Sequence, residues 1–189
     1  KDGFVHIYGL KLPIDPMIGV IGVAPAEEDG DWGTETPWKH GGNMDTTEIK
    51  KGNTLYFPVN QEGALLALGD LHAIMGDGEL CMTGLEINGS VNLKVDVIKG
   101  KNLEWPLLES KDETMVLASG DNIEMAVETG TVQVVNHLSK GLDISFEEAY
   151  VLASLVSDVK ISQVVNPKKT VRISIPKNVL ETEDILDNI

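Results

Sequence analysis

The chain has 189 residues, enough for one substantial domain that buries most of its apolar surface. An apolar share of 42% and a charged share of 24% are ordinary for a globular protein, whereas aromatics at 5% are too sparse for a base-stacking or sugar-stacking platform. A net charge of −15 argues against nucleic acid, whose phosphates it would repel, and suits divalent cations and neutral or cationic ligands. The single cysteine, Cys81, leaves no intramolecular disulfide and fits a reducing, cytoplasmic setting. No apolar run approaches the ~18 residues of a membrane-spanning helix, so no membrane partner is expected.

Strand signals dominate the chain from residues 4–8 onward. Residues 18–24 form an apolar run broken by Gly19 and Gly22, which predicts a buried strand with another backbone close by. Residues 27–42, rich in Gly, Pro, Thr and acids, read as a long loop serving as an active-site wall or lid. Residues 55–59 predict a strand that Pro58 confines to an edge or bulge, and the continuous apolar run 64–68 predicts burial on both faces. Residues 91–97 alternate cleanly between apolar and polar, as in a half-solvated antiparallel strand. Further strands are expected at 114–118, 131–135, 159–164 and 171–175. One helix stands out over 145–157, opened by the capping box Ser145-Phe146-Glu147-Glu148. Asn166-Pro167 marks a turn, and the acidic tail 181–189 is expected to fray. The pattern predicts a mainly β (α+β) fold, an antiparallel sandwich-like core with a small C-terminal α+β unit. We divide it as a glycine-rich core carrying the site (1–110), the α+β unit (111–180) and the tail (181–189).

Chemistry concentrates between His40 and Glu86, in HGGNMD (40–45), EGALLALGDLHA (62–73) and GDGE (76–79). Carboxylates and histidines set among glycines at the ends of apolar runs suit a metal-assisted hydrolytic site. Asp70 and His72 stand two apart, so in an extended segment they share a face and could hold zinc or a related cation. The alternative is a loop-binding carboxylate beside a satisfied histidine. Asp45 follows Gly41-Gly42-Asn43, where exposed amides could meet an oxyanion or simply form a turn. Glu62, Asp77 and Glu79 flank apolar segments and are candidates for a general base, or else solvated rim residues; Glu86 ranks below them. Cys81, between Leu80 and Met82, reads as buried and inert, and His6 and His137 as structural. There is no nucleophile elbow, His-Glu-x-x-His, paired Cys-x-x-Cys or phosphate-cradling loop of standard spacing.

The segments MIGVIGVAPAE (17–27), TPWKHGGNMDT (36–46), LYFPVNQEGALLALGDLHAIMGDGE (55–79), TGLEI (83–87) and ISQVVNPKKTVRISIP (161–176) resemble, in order, the acetamidase/formamidase family of metal-associated amidases. The resemblance implies hydrolysis of short aliphatic amides, acetamide or formamide, to carboxylate and ammonia. It further implies β-sandwich-like layers with a smaller α+β unit. A homo-oligomer is expected separately, because exposed strand edges favour self-association. Family members carry an additional amino-terminal β-rich portion, so the 189 residues look like a carboxyl-terminal part. As a hypothesis on that basis, Asp45, Asp70 and His72 would hold a divalent cation, zinc with calcium as the alternative. Glu62 or Glu79 would move the proton, and Asp77 would orient that base or bind the substrate's NH2. Gly41, Gly42 and Asn43 would contact the substrate. The pocket would separate formyl from acetyl only by ~1–3 kcal/mol, the worth of one methyl group. The competing reading is a non-catalytic β-rich module for ion binding or oligomerisation.

Overall fold

The computed structural model describes residues 3–189. The amino-terminal part contains β1 (Phe4–Ile7), β2 (Leu10–Pro13), β3 (Met17–Gly22), β4 (Gly41–Asn43), β5 (Thr54–Tyr56) and β6 (Ala67–His72). Then come β7 (Leu107–Glu109), β8 (Glu113–Gly120), α1 (Ile123–Leu142) and α2 (Phe146–Val156). The chain closes with β9 (Val159–Gln163), β10 (Lys169–Pro176) and α3 (Thr182–Asp187).

The central sheet has the order β5-β7-β8-β10-β9 with every neighbour antiparallel. Alternation along β8 and β10 gives it two faces. Val116, Ala118, Val171, Ile173 and Ile175 pack with Leu107 against Ala126, Val134 and Leu138 of α1, Ala149 and Ala153 of α2 and Ile185 of α3. Leu108, Met115 and Leu117 look the other way and pack with Ile21, Met44 and Ile49, under the second sheet, β4-β3-β6. The result is three layers, helices on sheet on sheet, consistent with the expected mainly β (α+β) class. β1 and β2 form a separate hairpin.

The glycines of β3 and β4 allow close backbone approach, as anticipated for Gly22. A Cβ there would lie 2.6 Å from the His40 carbonyl oxygen and 2.7 Å from the Gly42 nitrogen. At Gly19, side chains rather than backbone come close, which matters for the site.

Several local expectations are corrected. Residues 131–135, rich in β-branched side chains, lie inside α1, because Ala126, Gly130, Val134 and Leu138 recur at helical spacing against the sheet and Asn122 caps the first turn. Tertiary packing overrides the weak strand propensity there. Residues 64–68 are not buried on both faces. Ala64 and Leu65 both have φ of 55° and make a turn, and Leu65, Leu66 and Leu68 are exposed. Residues 91–97 pair with no strand among the described residues, and Leu93, Val95 and Val97 face solvent. The acidic tail holds α3, pinned by Ile185 and by a 2.6 Å hydrogen bond between the buried Thr182 and Thr114 hydroxyls. Cys81 is exposed, because it lies on a surface loop rather than in a strand.

Candidate metal centre

β3 and β6 run antiparallel in a register that sets Ile18 against Leu71 and Val20 against Gly69, leaving Gly19 opposite Asp70. Gly19 has no side chain, and two carboxylates fill the space. A Cβ at Gly19 would stand 2.5 Å from Asp70 Oδ2 and 2.6 Å from Asp45 Oδ1. Asp45 arrives from the end of β4, held by its amide on the Gly19 carbonyl at 3.2 Å. His72 closes β6 and lies under Gly84, whose Cβ would be 2.6 Å from the imidazole Cγ. Residues 85–87 continue the ladder beside β6 through the amide of Ala73 on Leu85 O (2.7 Å) and of Ile87 on Leu71 O (3.0 Å), which carries Glu86 alongside His72. Glu79 enters from the Gly76–Glu79 turn, which docks on the β9 edge through Gly78 N on Ser162 O at 2.9 Å.

Five ionisable side chains thus meet. His72 Nε2 lies 3.0 Å from Glu86 Oε1 and 3.3 Å from Asp70 Oδ1, and His72 Nδ1 lies 3.9 Å from Asp45 Oδ1. Two overlapping groups, Asp45–His72–Glu79 and Asp70–His72–Glu86, each bring ligand atoms within 4.8 Å of one another. The first group is buried throughout. Asp45 Oδ1, His72 Nδ1 and Glu79 Oε2 are inaccessible to solvent and have no hydrogen-bond partner. Three such atoms left unpaired are costly, and a shared cation satisfies all of them at once. The oxygen and imidazole donors match zinc and related divalent ions.

Electrostatics reflect the crowding of carboxylates. Burial, followed by the nearby charge of Asp45, pushes the Glu79 carboxyl up to about 8. Asp70 is raised by burial against the pull of His72, with Asp45 and Glu86 adding to the rise. The backbone shares the tension: Asp45, Asp70 and Glu79 have φ of 42°, 58° and 46°. That left-handed conformation is uncommon for non-glycine residues, costs on the order of 1–3 kcal/mol each, and collects at functional sites.

The structure therefore brings together Asp45, Asp70, His72 and Glu79 of the residues singled out from sequence. It places others elsewhere. Asp77 accepts a two-pronged bond from the buried Arg172 guanidinium (3.0 and 2.7 Å) and another from Thr47 (2.9 Å); burial pushes its carboxyl up, but these bonds and the charges of Arg172 and Lys160 together hold it low. Glu62 is exposed on the turn before β6. The Gly41 amide donates to Trp38 O at 2.9 Å, the Gly42 oxygen accepts the Met44 amide, and Asn43 Oδ1 is buried without a partner. Loop 27–42 is anchored by Trp38, which packs edge-on to Trp105 at 5.0 Å and carries Lys168 Nζ at 4.4 Å. His40, stacked with Trp32, is shifted down by burial against the charge of Asp29. Glu86, ranked below the others from sequence, also reaches the cluster through its bridge to His72. Sequence reasoning read Asn166 only as a turn residue, and nothing local shows that Asn166 Nδ2 reaches Asp45 Oδ2 at 2.8 Å.

Fold and cluster together define a mainly antiparallel α+β protein with a largely buried carboxylate–imidazole cluster whose donor atoms could hold a metal ion. Residues 32–182 match the Acetamidase/Formamidase family, and the chain belongs to that family. It is 43% identical over 68 residues to an acetamidase of Mycolicibacterium smegmatis, an alignment covering 35% of this chain and 17% of that protein. Among solved structures, a recombinant predicted acetamidase/formamidase from Thermoanaerobacter tengcongensis superposes with a TM-score of 0.92 at 48% identity, over 98% of this chain and 61% of the other. An acetamidase from Bacillus halodurans gives 0.90 at 44% identity, over 96% and 61%. The chain thus spans about three fifths of the length of these solved relatives.

Proposed function

We propose that this chain carries the cation-binding centre of an amidohydrolase that cleaves short aliphatic amides such as acetamide and formamide to carboxylate and ammonia. Family membership and the names of the relatives support the reaction class. The observation that carries the site assignment is the buried, unpaired set Asp45 Oδ1, His72 Nδ1 and Glu79 Oε2. Asp45 and His72 would hold the cation, zinc by the mixture of imidazole and carboxylate, with Glu79 beside it and Asp70 and Glu86 at the other edge of the imidazole. When bound, the cation supplies Lewis acidity toward the amide carbonyl and lowers the pKa of water.

The chain's own residues supply the rest. Hydrolysis forms a carbon–oxygen bond from water and breaks the carbon–nitrogen bond, and the departing nitrogen needs a proton because an amide anion leaves poorly. Glu79, with a carboxyl titrating near 8, can accept the water's proton when ionised and return it to that nitrogen. Asn43 Oδ1 offers a buried acceptor for the substrate's NH2. Burial of Asp45, His72 and Glu79 limits water at their ligand atoms.

The test is metal analysis of the intact protein together with ammonia release across a short series of amides, before and after chelation. We expect a stoichiometric divalent cation and turnover that disappears on chelation and returns with the metal. Full turnover after exhaustive metal removal would overturn the cation-dependent mechanism.

A further inference from the structure

Asp45 is fully buried and offers its two oxygens to different partners. Oδ2 accepts a hydrogen bond from Asn166 Nδ2 at 2.8 Å, while Oδ1 has no hydrogen-bond partner and faces His72. The same Asn166 amide donates to Asn43 O at 2.9 Å, so both of its N–H groups are committed and its head group is pinned. The turn that carries Asn166, between β9 and β10, is held in turn by Gln163. Gln163 is fully buried; its Oε1 accepts the amides of Val165 and Asn166, both at 2.9 Å, and its Nε2 donates to Lys168 O (2.7 Å) and Thr170 Oγ1 (3.1 Å). Asp45 Oδ1 is thus the buried carboxylate oxygen that these contacts leave without a hydrogen bond.

We propose that Asn166, fixed by Gln163, is a positioning residue of the metal centre: by occupying Asp45 Oδ2 it directs Oδ1 toward the cation. The proposal rests on the reading of this cluster as a cation site. An ionised carboxylate with both oxygens free can turn about its last torsion and present either one or both. A charge-assisted hydrogen bond to one oxygen removes that freedom and fixes the ligand before the cation arrives. The second sheet and the central sheet are thereby coupled, since Asp45 follows β4 and its orienting group comes from the β9–β10 turn.

The test uses the full chain freed of metal and titrated separately with zinc and with calcium against a chromophoric chelator. Asn166→Ala is expected to weaken cation binding ~10–100-fold, the usual effect of losing an orienting partner. Lys168→Ala removes other ties of the same turn, the Asp121 ion pair (2.6 Å) and the contact with Trp38, but leaves the Asn166–Asp45 bond, so its affinity should stay within about twofold of the parent. Should Asn166→Ala fail to fold, Asn166→Ser gives the same reading, because its hydroxyl is too short to reach Asp45. Unchanged affinity in the Asn166 variants, or an equal loss in Lys168→Ala, overturns the positioning role. If the parent chain itself takes up neither cation, the metal-centre reading fails first and the positioning role with it, and the two failures are told apart by that control.

Discussion

Asp45, Asp70 and Glu79 all bend into the left-handed region to reach one point, and the glycines around them set how close they come. Gly84 sets this limit at the imidazole. A Cβ there would fall 2.6 Å from His72 Cγ and 2.7 Å from Nδ1, and the ring is almost wholly enclosed. Gly84→Ala should therefore displace the imidazole, weaken cation binding by tenfold or more, and cost ~1–3 kcal/mol by overpacking. Gly69→Ala, with open space at its Cβ and ordinary φ, should leave both nearly unchanged. Chelator competition and thermal melts would measure the pair. Asp70 and His72 were legible in the sequence, since two residues apart near a strand end is a local relation. Asn166 and Asp45 are 121 positions apart, and their bond has no local trace.

At the level of elements, patterning located β8, β9, β10 and α2 well, because each carries its own signal. The capping box of α2 forms as expected, with Ser145 Oγ accepting the Glu148 amide and Glu148 reaching back to the Ser145 amide. Residues 91–97 show the limit. They alternate like a strand, yet a strand needs a partner edge, and none of the described strands pairs with them. Their backbone amides accordingly lack ladder bonds. Hydrogen exchange should reach completion fastest over residues 88–98 and slowest over β8 and β10, whose pairing is central and buried. Slow exchange over 88–98 in the same chain would show that the segment is paired in solution. The helix over 131–135 was hidden for the opposite reason: β-branched residues favour strands locally, and only the sheet beneath selects the face that makes them helical.

For the molecule as a whole, the cluster ties stability to pH. Glu79 titrates at about 8 when folded and 4.5 as a model carboxyl, so between these values the folded state binds more protons than the unfolded state. Stability of the metal-free protein must then fall as pH rises through that window, and Asp70, also raised, acts with the same sign. His137, buried in α1, is shifted by that burial from 6.5 down to about 4, so its opposite effect is complete above pH 6.5. Between pH 6.5 and 8 the melting temperature without metal should decline, Glu79→Gln should flatten the decline, and a divalent cation should reverse it. A metal-free melting temperature that rises across this range would contradict the buried, protonated Glu79. The sequence by itself determined the class of fold, the family and the stretch from which most of the carboxylate–imidazole cluster is drawn, because alternation, capping and residue order are local properties. Only the tertiary structure decided which carboxylates converge, which of them Arg172 diverts, and that Asn166 steadies Asp45. Those outcomes depend on strand register and on burial, which arise when distant segments pack.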